Sequence, residues 1–199
     1  MTAEEQKKAA AHAALDYIKS GMKVGLGTGS TANHFITALA EKARGGFDVE
    51  CVATSRASFQ LASGLGLKMT TLEKHAHLDL TVDGADEFDG NYQLIKGGGG
   101  ALLVEKIVAT SSRYMVVIAD QSKKVNALGK FPLPVEVVPF GVNATAWKIE
   151  RALKICDLKG KMQLRLKDGK PFVTDSGNAI IDVTSGHIPE PRRLDNLIK

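Results

Sequence analysis

The stretch Met22-Lys-Val-Gly-Leu-Gly-Thr-Gly-Ser-Thr31 decides the fold. Residues 22–27 read as a short buried strand, residues 27–31 as a tight glycine turn, and residues 32–43 as a helix ending at Gly45-Gly46. A strand that enters a helix through glycines opens a βαβ unit. The same alternation recurs around it, with strands at 49–54, 68–71, 78–82 and 114–119 and helices at 4–19, 55–65 and 101–109. Alternation of this kind implies right-handed crossovers and a mostly parallel sheet with flanking helices, a Rossmann-like α/β fold.

The pattern changes near Phe131-Pro-Leu-Pro134. Residues 135–139 read as extended and residues 142–155 as a helix. Segments 162–166, 171–174 and 179–183 read as antiparallel strands, separated by the turns Lys167-Asp-Gly169 and Asp175-Ser-Gly-Asn178. Residues 189–199 read as a last helix. The expected organisation is a Rossmann-like α/β domain over 1–130 and a smaller α+β domain over 131–199.

Composition narrows the function classes. The chain has 199 residues, 44% hydrophobic and 24% charged, an ordinary globular balance. Two cysteines, Cys51 and Cys156, are too few for a disulfide framework. The N-terminal segment is charged and amphipathic, without the apolar core of a signal peptide. Apolar runs such as Tyr114-Met-Val-Val-Ile-Ala119 are strand-sized, too short to span a bilayer. A cytoplasmic protein with no membrane contact is expected. Net charge is +4, but the lysines are scattered without interleaved aromatics, so nucleic acid is not an expected partner.

Gly27-Thr-Gly-Ser-Thr31 places backbone N–H groups and hydroxyls at a helix start, a site suited to phosphate. Gly27, Gly29 and Ala32 also fit a dinucleotide fingerprint. That fingerprint needs an acid at the end of the second strand, which here ends Ala53-Thr54-Ser55, with Glu50 at the wrong end. The Walker form fails because no Gly-Lys-Ser/Thr follows. A plain tight turn explains the glycines almost as well. The strand-to-helix junction with Ser30 and Thr31 favours phosphate.

Asp83-Gly84-Ala85-Asp86-Glu87 follows a strand, where open α/β sheets bind ligands. Its carboxylates suit hydroxyl protons or a cation, and a solvated acidic turn is the ordinary alternative. His75 and His77 do not complete a ligand set, so no metal is expected. Further on, Lys96-Gly97-Gly98-Gly99-Gly100 precedes a helix carrying Glu105 about one turn in. Four ordered glycines are entropically costly, which points to amides lining a small polar ligand. An acid early in a helix is also an ordinary dipole complement. Lys123, after the strand bearing Asp120, could reach a phosphate, although a surface lysine is commoner.

Together these segments resemble the ribose-5-phosphate isomerases of the A type. The resemblance rests on VGLGTGST at 24–31, VDGADE at 82–87, IKGGGGAL at 95–102 with Glu105, IADQSK at 118–123 and GKFPLPVEV at 129–137. It covers nearly the whole chain. It implies interconversion of ribose 5-phosphate and ribulose 5-phosphate in the pentose phosphate pathway, through an enediol, without cofactor or metal. It further implies substrate binding by Thr28, Gly29, Ser30, Thr31, Asp83, Gly84, Ala85, Asp86, Lys96, Gly97, Gly98, Gly99 and Lys123. The implied catalytic groups are Glu105 as base, with Asp83, Asp86 and Lys96. A homodimer or homotetramer is the implied assembly. Family members usually continue past the last helix with a glycine-rich strand pair that returns to the main domain, whereas this sequence stops at Lys199. Competing readings are a sugar-phosphate-sensing module, an amino-sugar phosphate deaminase and a nicotinamide-binding protein. The missing ribose acid weakens the last, and the absence of a helix-turn-helix ahead of the sheet weakens the first.

Overall fold

The computed structural model describes residues 1–199. In chain order the elements are α1 (Ala3–Ala14), β1 (Met22–Leu26), α2 (Ser30–Arg44), β2 (Val49–Ala53), α3 (Arg56–Gly64), β3 (Lys68–Met69), β4 (Leu80–Asp83), β5 (Glu87–Phe88), β6 (Leu94–Ile95), α4 (Leu102–Thr110) and β7 (Met115–Val117). There follow β8 (Leu133–Val137), α5 (Val142–Ile155), β9 (Lys161–Leu164), β10 (Leu166–Lys167), β11 (Lys170–Pro171), β12 (Ala179–Thr184) and α6 (Pro191–Ile198). The chain forms two compact units, Met1–Ala85 with Ala101–Ser122, and Asp86–Gly100 with Lys123–Lys199. They are interleaved in sequence, whereas one boundary near residue 130 was expected. The reason is local: β5 and β6 pair with each other, and Glu87 binds the amides of Gly129 and Phe131, which ties 86–100 to the second unit.

The first unit holds a five-stranded parallel sheet in the order β3-β2-β1-β4-β7. Its central strand β1 pairs Val24 with Cys51 on one side and Leu80 on the other. Burial follows from that position: Val24, Leu26, Val82 and Cys51 are fully enclosed. Phe35, Ile36 and Leu39 recur at helical spacing along α2 and pack in the same core, with Ala11, Ala14 and Ile18 from the N-terminal segment. A capping box between Thr2 and Glu5 starts α1. α1 stops at Ala14, earlier than expected, because residues 15–17 tighten into a 3₁₀ turn and Ile18 is extended.

The order matters for function. The chain leaves β1 toward β2 on one side, while β4 lies on the other. That reversal is the switch point at which open α/β sheets bind ligands, beyond the carboxyl ends of the strands. The loops after β1 and β4 both emerge there.

The second unit has an antiparallel sheet in the order β8-β12-β9. Its core joins Val135, Val137, Ile181 and Val183 from the sheet to Ile149, Leu153 and Leu194 from α5 and α6. The strand expected over 171–174 is only Lys170–Pro171, paired with Leu166–Lys167. Thr174 instead turns back, its N–H donating to the Asn178 carbonyl while its side chain binds Glu136.

Candidate active site

In the first unit, the turn after β1 is held by the strand beside it. A Cβ on Gly27 would lie 2.1 Å from Asp83 Oδ1 and 2.6 Å from Asp83 Cα, so only glycine lets β1 and β4 run this close. Gly29 has φ +111°, a left-handed conformation that other residues rarely adopt. Asp83 is fully buried, and its Oδ1 accepts from the amides of Thr28 (3.1 Å) and Gly84 (2.7 Å). One carboxylate thereby fastens the loop after β1 to the loop after β4.

A hydroxyl cluster braces the same turn. Thr28 Oγ1 lies 2.7 Å from Thr54 Oγ1, 2.9 Å from Ser55 Oγ and 3.2 Å from Ser58 Oγ. Ser58 in turn donates to the Gly27 carbonyl at 2.7 Å, and Thr54 to the Leu26 carbonyl at 3.0 Å. Thr54 and Ser58 are buried, so this network is shielded from water. Helix α2 then begins at Ser30 with Gly29 as its N-cap and no side-chain cap. Gly29 and Ser30 are exposed and Thr31 is half-buried. Uncapped N–H groups at the positive end of a helix dipole suit a phosphate. Sequence reading missed Thr54 and Ser58 as loop supports. Their place just past β2 was the available signal.

Glu105 also belongs to this unit. It sits in the first turn of α4, where its N–H donates to the Ala101 carbonyl at 2.9 Å. Its side chain is enclosed, the residue being 5% exposed. A carboxylate that only complements a helix dipole works on the surface, and burying a charged one costs several kcal/mol before compensation. Asp120, after β7, is buried as well, and accepts from the Ser122 amide at 2.9 Å and from the Ser122 hydroxyl.

In the second unit, Asp86 Oδ2 accepts from the Gly98 amide at 2.7 Å. The glycine run has three separate structural reasons. Gly97 has φ +99° and Gly100 φ +84°, and a Cβ on Gly100 would strike the Phe172 ring at 2.5 Å. A Cβ on Gly98 would meet Asp86 Oδ1 at 2.4 Å and Phe131 Cζ at 2.9 Å. Gly99 is exposed. Lys96 and Lys123 are half-buried. Arg165, which no motif marked, binds the carbonyls of this loop. The structure thus gathers Thr28, Gly29, Ser30, Thr31, Asp83 and Gly84 around the switch point in one unit, and Asp86, Gly97, Gly98 and Gly99 around one loop in the other. No group of three or more His, Cys, Asp or Glu side chains is placed to hold a metal ion. No helix is long and apolar enough to cross a membrane.

The family described as Ribose 5-phosphate isomerase A (phosphoriboisomerase A) matches residues 50–199. A ribose-5-phosphate isomerase A from Parvibaculum lavamentivorans is 56% identical over 98% of this chain and 84% of its own length. Among solved structures, the ribose 5-phosphate isomerase from Plasmodium falciparum superposes with TM-score 0.90 at 39% identity, covering 98% of this chain and 85% of that one. A D-ribose-5-phosphate isomerase in complex with phospho-erythronic acid superposes with TM-score 0.85, also at 39% identity, over 95% of this chain and 82% of that one.

Proposed function

The chain belongs to the ribose 5-phosphate isomerase A family, and from that premise we propose which residues carry its reaction. It is an aldose–ketose isomerase that interconverts ribose 5-phosphate and ribulose 5-phosphate. The readings as a sensor or an amino-sugar phosphate deaminase are not favoured.

The reaction moves one hydrogen from C2 to C1 and one proton from O2 to O1. Glu105 is the base. Its carboxylate takes the C2 proton of the open-chain aldose, and the electron pair forms the C1–C2 double bond while charge collects on O1. The protonated Glu105 returns the proton to C1 as O2 becomes the carbonyl. Lys96 and the Gly99 amide stabilise the oxygen that carries negative charge, the kind of donor that contributes most when it is already oriented. Asp86 handles the hydroxyl protons and assists ring opening. Thr28, Gly29, Ser30 and Thr31 receive the phosphate at the start of α2, with Lys123 adding charge. Asp83, fully buried with its Oδ1 on two loop amides, contributes by holding Thr28 and Gly84 in place.

The observation that carries the assignment is the enclosure of Glu105 in the first turn of α4, where a dipole complement would be solvated. Glu105→Gln keeps the shape and removes the base. NMR-monitored conversion of ribose 5-phosphate is expected to fall by roughly 10²–10⁴-fold in kcat with KM nearly kept. A loss confined to KM would remove Glu105 from the chemistry. We further propose a cytoplasmic homodimer or homotetramer. This is the assembly that the sequence resemblance implies. A monomeric mass by light scattering would overturn it.

A further inference from the structure

The carbonyls of Gly97 and Gly98 in the polyglycine loop are gripped by one side chain, Arg165. Arg165 lies just after β9, with its N–H donating to the Ile180 carbonyl at 2.8 Å. Its side chain is 15% exposed. Nε donates to Asp182 Oδ2 at 2.8 Å and Nη2 to Asp182 Oδ1 at 2.5 Å, a two-point pair that fixes the plane of the guanidinium. The remaining nitrogen, Nη1, donates to the Gly97 carbonyl at 3.0 Å and the Gly98 carbonyl at 3.1 Å. The Phe172 ring lies 5.9 Å from the guanidinium carbon, and the same ring fills the space beside Gly100.

Peptide geometry turns this grip into a direction. Each peptide is planar and trans, so the N–H of one residue points opposite to the carbonyl of the residue before it. With the Gly97 carbonyl on Arg165, the Gly98 N–H must point away from the guanidinium, and it does so, onto Asp86 Oδ2 at 2.7 Å. With the Gly98 carbonyl also on Arg165, the Gly99 N–H must likewise point away from it. Gly99 is the exposed member of the run. The result is an outward-facing amide whose direction is set by a side chain far away in sequence. Glycine has the widest backbone freedom of any residue, so a run of four would not hold one orientation unaided.

We propose that Arg165 is a positioning residue for the isomerisation: through the Gly97 and Gly98 carbonyls it aims the Gly99 amide at the oxygen that becomes negative. Asp182 and Phe172 hold the guanidinium for that task. The inference rests on the reading that the loop amides serve the sugar phosphate. Lysine at this position keeps the charge but cannot bind Asp182 at two points and both carbonyls at once.

The test compares steady-state isomerisation by the unaltered protein, Arg165→Ala and Arg165→Lys, with thermal melts of each. Arg165→Ala is expected to lose about 100-fold in kcat, the scale of a misplacement near 1 Å, with KM within about threefold. Added guanidinium is expected to restore a measurable part of kcat in Arg165→Ala and none in Arg165→Lys. If Arg165→Ala does not fold, Arg165→Lys decides alone, with lowered kcat and retained KM expected. Wild-type kcat in a folded variant, a loss confined to KM, or failure of guanidinium to rescue folded Arg165→Ala would overturn the proposal. Absence of turnover in the unaltered protein would instead overturn the reading on which it rests.

Discussion

Replacing Gly98 with alanine places a methyl group 2.4 Å from Asp86 Oδ1, 2.9 Å from Asp86 Cγ and 2.9 Å from Phe131 Cζ. All three are side-chain atoms, so the backbone need not break. The carboxylate has to withdraw by about 1 Å to reach an ordinary contact, and a displacement of that size in a positioned group costs roughly 100-fold in rate. The Gly98 amide also loses or lengthens its 2.7 Å bond to Asp86. Packing strain of this kind costs about 1–3 kcal/mol, which a chain of this size survives at room temperature. The expected Gly98→Ala protein is therefore folded, with a melting temperature lowered by roughly 2–12 °C, and about 100-fold slower in kcat. Continuous monitoring of ribulose 5-phosphate at saturating substrate, beside a thermal melt, measures both. A folded Gly98→Ala enzyme with kcat within about twofold of wild type would refute the reasoning, because Asp86 would then tolerate the displacement.

Thr31→Ala and Lys123→Ala are expected to raise KM with little change in kcat, since phosphate contacts are made equally in ground and transition states. Steady-state kinetics checks this, and a fall in kcat alone would move those residues to the reacting carbons. Burial pushes the Cys51 thiol up to about 12. The unfolded thiol ionises near its ordinary value, so stability from Cys51 is complete below about pH 8.5 and is lost as pH rises from there toward 12, at about 1.4 kcal/mol per unit. Urea unfolding between pH 8 and 10.5 is expected to show a shallower decline for Cys51→Ala than for wild type, and parallel declines would contradict the assignment.

Much of the first unit was legible because it is local. β1, its glycine turn and α2 are contiguous, and each glycine there answers to a nearby constraint: Asp83 against Gly27, positive φ at Gly29. Periodicity also located α5 and β12 within a residue or so. The short strands were harder. β3, β10 and β11 have two residues each, and their pairing depends on partners that no local pattern names. The purpose of the polyglycine run was only partly legible. Its composition suggested close approach to a ligand, but Gly98 and Gly100 make room for Asp86, Phe131 and Phe172 of the protein itself. Arg165 reads as an ordinary charge on a strand edge. Its partners are 67 and 68 residues away at Gly98 and Gly97, and only tertiary structure brings them together. Thr54 and Ser58 were hidden for the same reason, since buried hydroxyls are indistinguishable from surface ones in sequence.

Exchange at the substrate carbon tests the central claim, that Glu105 is the base. Ribose 5-phosphate deuterated at C2 loses its label to solvent only when a group on the protein removes that hydrogen and trades it with water. Hydroxyl protons, which Asp86 would handle, do not enter the signal. Wild-type protein is expected to wash out the deuterium during turnover. Glu105→Gln is expected to stop the exchange while still binding the sugar phosphate, and Asp86→Asn to slow conversion while retaining part of it. Near-wild-type exchange in Glu105→Gln would contradict the account and leave Glu105 as an acid in the first turn of a helix.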